Sequence, residues 1–288
     1  MRARRAIECD LREALAGNGF TVFYQPVFHL RKQRVSGFEA LLRWRHPDRG
    51  LVSPAEFIPL AEELGLIVPI GAWVLAQACA EAATWPEEIR VAVNLSPVQF
   101  HSPGLVATVR RALQASGLPA HRLELEITES ALLQNSKTVL ATLHELRALG
   151  LRTALDDFGT GYSSLSYLRS FPFDKLKIDQ SFVREVTHRP DCRAIVRSVL
   201  GLSRELGMTT TAEGVEREDQ LDQLFRDGCT EVQGFLFDRP RPAADIRHWF
   251  APGANWMVAS GEPDPAGSPG MQKAGRWPAG AAAAASLQ

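Results

Sequence analysis

Asp156 and Asp157 are adjacent carboxylates at the end of a short apolar stretch, Leu151 to Leu155, and the loop Phe158-Gly159-Thr160-Gly161-Tyr162-Ser163-Ser164 follows them. Neighbouring residues on a strand point to opposite sides, so the pair can share one object only where the strand is ending. Two carboxylates that close repel unless a proton or a cation lies between them, and hard divalent cations take carboxylate oxygens. An isolated Asp-Asp before a glycine is more often a solvated turn. The other polar residues of the chain weigh against that reading here.

Each apolar run that reads as a strand ends in, or carries, a residue of the same chemical kind. Val35 to Trp44 holds Glu39, with Arg43 further along. Val91 to Leu95 carries Asn94, and Leu123 to Ile127 carries Glu126, with Glu129 just beyond. Lys177 and Asp179 follow Leu176, Glu213 and Glu216 follow Met208 to Ala212, and Gln233 closes the last short run. Any one of these is readily a surface group at a loop start. Together they suggest that Glu39, Asn94, Glu126, Asp156, Asp157, Lys177, Glu213 and Gln233 meet in one pocket.

Charged side chains within apolar strands are costly unless paired or bound to metal. A set of carboxylates and one amide oxygen, without Cys or His, suits Mg²⁺, Mn²⁺ or Ca²⁺ over zinc. Two such ions can share a carboxylate and a water, acidify the water and clamp a scissile phosphate. Lys177 would then balance charge near the attacking water, Glu213 is a candidate base, and the Arg43 fork matches phosphate oxygens. The chemistry that fits is phosphodiester hydrolysis. The seven histidines lack His-x-x-x-His spacing and read as surface or packing residues. Cys9, Cys79, Cys192 and Cys229 lack the spacing of a zinc site or a disulfide framework, which fits a reducing cytosol.

The scaffold follows from the order of elements. Residues 6–17 read as a helix ending at Gly17-Asn18-Gly19. Phe20 to Leu30 and Val35 to Trp44 flank the turn Arg31-Lys32-Gln33-Arg34 as an antiparallel hairpin. Ser53-Pro54 opens a helix near 54–65 with proline at its first position, and another spans about 69–84. Strands at Val91–Leu95, Leu123–Ile127, Arg152–Asp156, Asp174–Ile178, Met208–Ala212 and Glu231–Gln233 then alternate with helices near 102–115, 129–149, 163–169, 180–186 with 191–206, 217–226 and 243–250. Alternating strands and helices imply parallel βαβ units. The fold class is α/β: a modified (β/α)₈ TIM-type barrel whose first strand is antiparallel. An open doubly wound sheet is the alternative, but no Gly-x-Gly-x-x-Gly follows the first strand. A barrel gathers the C-terminal strand ends on one face, where its active sites lie.

The expected organisation is an N-terminal extension over 1–9, the barrel over 10–251, and a disordered tail over 252–288 that contains the run Ala281 to Ala285. The chain has 288 residues, a formal net charge of -1 and 45% hydrophobic residues, an ordinary soluble composition with no electrostatic case for binding a nucleic-acid polymer. No apolar run reaches the roughly 20 residues that span a membrane, and no signal peptide is visible, so a cytoplasmic location is expected.

Glu39-Ala40-Leu41-Leu42-Arg43-Trp44 resembles the signature of the EAL domain family, the cyclic di-GMP phosphodiesterases. The likeness continues through Tyr24-Gln25-Pro26, Val93-Asn94-Leu95-Ser96, Glu126-Ile127-Thr128-Glu129, the Asp156–Ser164 loop, Lys177-Ile178-Asp179, Ala212-Glu213-Gly214-Val215-Glu216 and Gln233-Gly234, over roughly residues 10–250. The resemblance implies hydrolysis of cyclic di-GMP to linear pGpG with Mg²⁺ or Mn²⁺, two ions per site, and inhibition by Ca²⁺. It implies Glu39, Asn94, Glu126, Asp156 and Asp157 as metal ligands, and Glu213 as base or ligand. Lys177 would orient the water, Gln233 would hold the metal–water site, and Glu129 would hold the Asp157–Ser164 loop. Gln25, Leu41, Arg43, Asp179 and Glu216 would contact the ligand. It also implies a homodimer through helices near that loop. Departures are Gln180 where Arg is common, Arg217 where Thr is common, and Phe235 where Tyr is common. Some members lose the acidic set and act as receptors or protein-binding modules. Every matched position is present here, which favours an enzyme. The short N-terminus has no room for a cyclase or sensory domain, so the chain reads as a stand-alone EAL protein or a fragment of a longer one.

Overall fold

In the computed structural model the described residues are 2–17, 19–132, 136–159 and 171–251. The expected helix near 163–169, most of the Asp157–Ser164 loop and the 252–288 tail lie outside them.

Strands β1 (Phe20–His29) and β2 (Arg34–His46) form the predicted hairpin, with Gln25 opposite Glu39. β2 then pairs in parallel with β4 (Arg90–Leu95), and parallel pairing continues through β5 (Leu123–Thr128), β6 (Arg152–Phe158), β7 (Lys175–Ile178), β8 (Thr209–Ala212) and β9 (Glu231–Val232). β9 returns to β1 in antiparallel register, Phe28 beside Val232, which closes an eight-stranded barrel. β1 is therefore antiparallel to both neighbours, as expected. Two short strands that the sequence analysis missed extend the sheet outside the barrel: β3 (Gly50–Val52) on β2, and β10 (Arg241–Pro242) on β1. Runs of two or three residues show no alternation that could reveal them.

The alternation along the strands explains the barrel's unusual interior. In Leu123-Glu124-Leu125-Glu126-Ile127, the three apolar residues are fully buried in the hydrophobic core, and both glutamates are buried too. β7 repeats this with Lys175-Leu176-Lys177-Ile178. Successive side chains point to opposite faces, so the apolar set packs under the helices and the charged set faces the barrel axis. Branched aliphatic side chains are the usual filling of such an axis.

A short unforeseen helix, Pro97–Phe100, precedes the helix expected near 102–115, which runs over Leu105–Ser116. Ser96 caps the first in a capping box with Gln99, and Pro103-Gly104, with Gly104 at φ 96°, separates it from the second. The segment near 129–149 is helical over Glu129–Leu132 and Ser136–Ala148, and residues 243–250 form a 3₁₀ helix.

Candidate active site

The strand ends bring the predicted polar residues to one face of the barrel. Glu39 of β2 lies at the centre of one group. Its Oε1 accepts from Asn94 Nδ2 at 2.6 Å, and its Oε2 accepts from Gln233 Nε2 at 2.6 Å. Gln233 Nε2 also donates to Gln25 Oε1 at 3.0 Å, and Gln25 Nε2 donates to the Asp238 carbonyl. Gly234 makes this placement possible. A Cβ there would lie 2.1 Å from the Val215 carbonyl oxygen, so only glycine lets the chain after Gln233 lie against the loop that carries Glu213.

Lys177 is the centre of the second group. Its Nζ lies 2.6 Å from Glu213 Oε1, 2.7 Å from Glu126 Oε2 and 3.3 Å from Asp156 Oδ1. Lys177 and Glu126 are almost wholly buried and form the floor. The Glu213 side chain keeps 20% of its exposure, and Asn94 is exposed at the rim.

Asp157 solves the alternation problem posed by the adjacent pair. Its φ is 55°, left-handed for a residue with a Cβ, and the β6–β7 register shifts between Leu155 and Phe158. A bulge of this kind re-aims a side chain. Asp156 Oδ1 accepts from the Asp157 N–H at 2.9 Å. Oxygens of Asp156, Asp157 and Glu213 consequently come within 4.8 Å of one another. The strand itself continues to Phe158, so the carboxylates converge through backbone distortion instead of strand termination.

The electrostatics of the set are unbalanced, with five carboxylates around one lysine. Burial and the surrounding Glu39, Asp156 and Glu124 push Glu126 well above the ordinary carboxyl range, against the pull of Lys177. Burial, then Asp156, raises Asp157. Burial outweighs Lys177 at Glu213 and lifts it to about 8, with Asp156 and Glu39 adding to the rise. Burial would raise Glu39 too, but Lys177 and the hydrogen bonds from Gln233 and Asn94 hold it below its usual value. Burial opposes the charge on Lys177, yet its carboxylate neighbours push its pKa well above normal. A divalent cation relieves this excess of negative charge. The all-oxygen donors of Asp156, Asp157 and Glu213 can hold one, which suits a hard ion. The buried Gln233 Oε1 has no hydrogen-bond partner and fits the same conclusion, since a buried acceptor left unmatched is costly.

Other predicted residues lie around this centre. Phe23, Gln25, Glu39, Leu41 and Arg43 share one face of the hairpin by register, and the Arg43 guanidinium lies 5.5 Å from the Phe23 ring centroid. Arg43 also donates to the Leu42 carbonyl. Glu129 is buried at the start of the helix after β5. Asp179 caps the helix Gln180–Arg184 by accepting from the Ser181 N–H. Glu216 is exposed, and its N–H donates to Gln220 Oε1. The Asp179 side chain thus has a local structural partner, whereas Glu216 is anchored through its backbone N–H. Glu124, Lys175 and Glu231, which are not among the residues expected at the site, form a second buried ion cluster. Their signal was present as the i, i+2 repeats Glu124/Glu126, Lys175/Lys177 and Glu231/Gln233.

A family model described as the EAL domain matches residues 8–240, a span that includes every site residue above. The chain belongs to the EAL domain family. Among curated EAL relatives, an uncharacterized Sinorhizobium fredii protein, y4lL, is 55% identical over 85% of this chain and 30% of its own length. The bifunctional diguanylate cyclase/cyclic di-GMP phosphodiesterase MucR of Pseudomonas aeruginosa is 45% identical over 82% of this chain and 35% of its own. The chain therefore spans about a third of the length of these relatives. Among solved structures, the PaMucR phosphodiesterase in complex with c-di-GMP superposes with a TM-score of 0.81 at 44% identity, covering 84% of this chain and 99% of that one.

Proposed function

We propose that this EAL domain hydrolyses one phosphodiester bond of cyclic di-GMP to give linear pGpG. The observation that carries the reading is the layer of five carboxylates set around the single buried Lys177, at the strand ends of a fold shared with a phosphodiesterase bound to c-di-GMP. Glu39, Asn94, Glu126, Asp156 and Asp157 would hold two Mg²⁺ or Mn²⁺ ions. When bound, such ions neutralise charge on the phosphodiester and acidify a water.

The chain's own residues have separable tasks. Glu213 accepts a proton from the attacking water. A base pKa near the operating pH suits that transfer, and burial brings Glu213 to about 8. Lys177 holds Glu213 and Glu126 apart from free rotation and leaves the Glu213 carboxylate at the opening. Gln233 and Asn94 fix the two oxygens of Glu39. A water oxygen bonds to phosphorus as the P–O3′ bond breaks, and the leaving oxygen takes a proton. Gln25, Leu41, Arg43, Asp179 and Glu216 are the proposed substrate contacts, and Glu129 the proposed support of the loop after Asp157. No described helix is long and apolar enough to cross a membrane, and all four cysteines are free, which supports a cytoplasmic location. A homodimer is part of the same reading. Light scattering of an active preparation tests it, and a fully active monomer would contradict it.

The decisive experiment is product formation from cyclic di-GMP with Mg²⁺, Mn²⁺, Ca²⁺ or chelator, resolved by chromatography. Metal-dependent pGpG, lost with chelator, with Ca²⁺ and in Glu39→Ala, is the expected result. Ligand binding without turnover under every condition would replace the enzyme with a receptor. Glu213→Gln should lower turnover far more than cyclic di-GMP binding measured by calorimetry in Ca²⁺; equal losses would remove its role as base.

A further inference from the structure

One layer below the site, the barrel axis holds a second set of charges. Lys175 Nζ lies 2.6 Å from Glu124 Oε1 and 2.8 Å from Glu231 Oε2. Arg152 Nε approaches Glu124 Oε2 at 3.5 Å, and Thr211 Oγ1 donates to Glu231 Oε2 at 3.3 Å. Lys175, Glu124 and Glu231 are all buried. Arg90 lines the same small cavity and helps to lower the Glu231 pKa, so the two carboxylates are fully matched by cations and this layer has no excess negative charge to offer a ligand. Buried ion pairs are seldom more stabilising than apolar residues of the same volume, and stability alone is therefore a weak reason for them.

Their position supplies a better one. Each member stands two residues before a site residue: Glu124 before Glu126 on β5, Lys175 before Lys177 on β7, and Glu231 of β9 before Gln233. β9 is only two residues long, and Gln233 lies just past its end. β9 has two registered pairs to β8 and two to β1, and Gln233 is bonded through its N–H to the Ala212 carbonyl and through its carbonyl to the Val215 N–H. The Lys175 bridge adds a link through the barrel interior, tying β9 to β5 and β7.

We propose that Lys175, bridging Glu124 and Glu231, is a positioning residue that sets the height of Gln233 and Lys177 in the layer above. It touches no reacting atom. It acts by holding three strands in the relative register at which Gln233 reaches Glu39 and Lys177 reaches Glu126 and Glu213. The inference rests on the phosphodiesterase reading only for its kinetic consequence.

Two variants test it. Lys175→Met leaves two buried carboxylates facing each other and is expected to fold poorly. The triple variant Lys175→Met/Glu124→Gln/Glu231→Gln removes the three buried charges together, leaves the partly exposed Arg152 to solvent, and is expected to fold. Hydrogen exchange followed by mass spectrometry in the folded triple variant should show protection lost over residues 229–236 and retained over 90–95. Its kcat with Mg²⁺ should fall about tenfold or more, with KM and cyclic di-GMP binding in Ca²⁺ within about threefold of wild type. Unchanged exchange over 229–236 would overturn the inference whether or not the wild type is active. With an active wild type, kcat within threefold in the triple variant would also overturn it. A wild type without turnover would sink the phosphodiesterase reading instead and leave exchange to decide the positioning role.

Discussion

The two charged layers of the barrel are built from the same residue types on the same strands, and they differ in one respect. The lower layer balances Glu124 and Glu231 against Lys175 and Arg152. The upper sets Glu39, Glu126, Asp156, Asp157 and Glu213 around Lys177 alone. The pKa shifts follow that difference. Burial pushes Glu231 up, but the charge and hydrogen bond of Lys175, a hydrogen bond from Ser36 and the charge of Arg90 together bring it down to about 2. Glu213 is pushed up to about 8, because burial outweighs Lys177. A layer whose carboxylates are matched by its own cations is structural. A layer that needs an outside cation is where a ligand would be held, and it is less stable for that reason. Perturbed carboxyl groups of this kind cluster at functional sites.

The sharpest way to break the comparison is to remove one charge from each layer. Asp157→Asn deletes a carboxylate from the crowded layer and retains a residue type that tolerates left-handed backbone. Turnover should fall on the order of 10²–10³-fold, while the protein without added metal gains about 1 kcal/mol, read as about 2–4 °C in Tm. A Tm that fell would show that the upper layer is not electrostatically strained. Lys175→Met in the balanced layer should do the reverse to stability, costing about 3–5 kcal/mol by leaving buried carboxylates unpaired. Urea denaturation measures it, and a loss below about 1 kcal/mol would mean that the lower layer is not a tight pair network.

Acid separates the layers more gently. The Glu231 pKa in the folded protein lies below its ordinary value of 4.5, at about 2. Its contribution is complete above pH 4.5 and is lost as pH falls toward 2, on the order of 3 kcal/mol. Melting curves from pH 5 to 2 should show a steep decline in wild type and a shallower one in Glu231→Gln; parallel curves would contradict the assignment. The smallest expected effect is at Asp179. Its cap on the helix Gln180–Arg184 predicts a loss of about 1 kcal/mol in Asp179→Ala. A larger change in substrate KM than in stability would show that ligand contact is its main role.

Much of the scaffold was legible because alternation is local. Leu123 to Ile127 and Lys175 to Ile178 display their two faces in the order of their letters, and the hairpin announced itself by two β-rich runs around a polar turn. The strands β3 and β10 are too short to show a period, and so is the four-residue helix Pro97–Phe100. At the site, the residue types identified the chemistry of the candidate ligands, and the family signature identified their order along the chain.

Sequence by itself thus determined which side chains the barrel offers and, through strand periodicity, which face each occupies. It could not decide how Asp156 and Asp157 come to the same side, because that depends on a φ of 55° and a register shift between β6 and β7. Nor could it separate Lys175 from Lys177, or Glu124 from Glu126. Residues two apart on a strand look alike in sequence, and only barrel closure, which sets the height of each strand against the others, places one pair in the balanced layer and the other at the site.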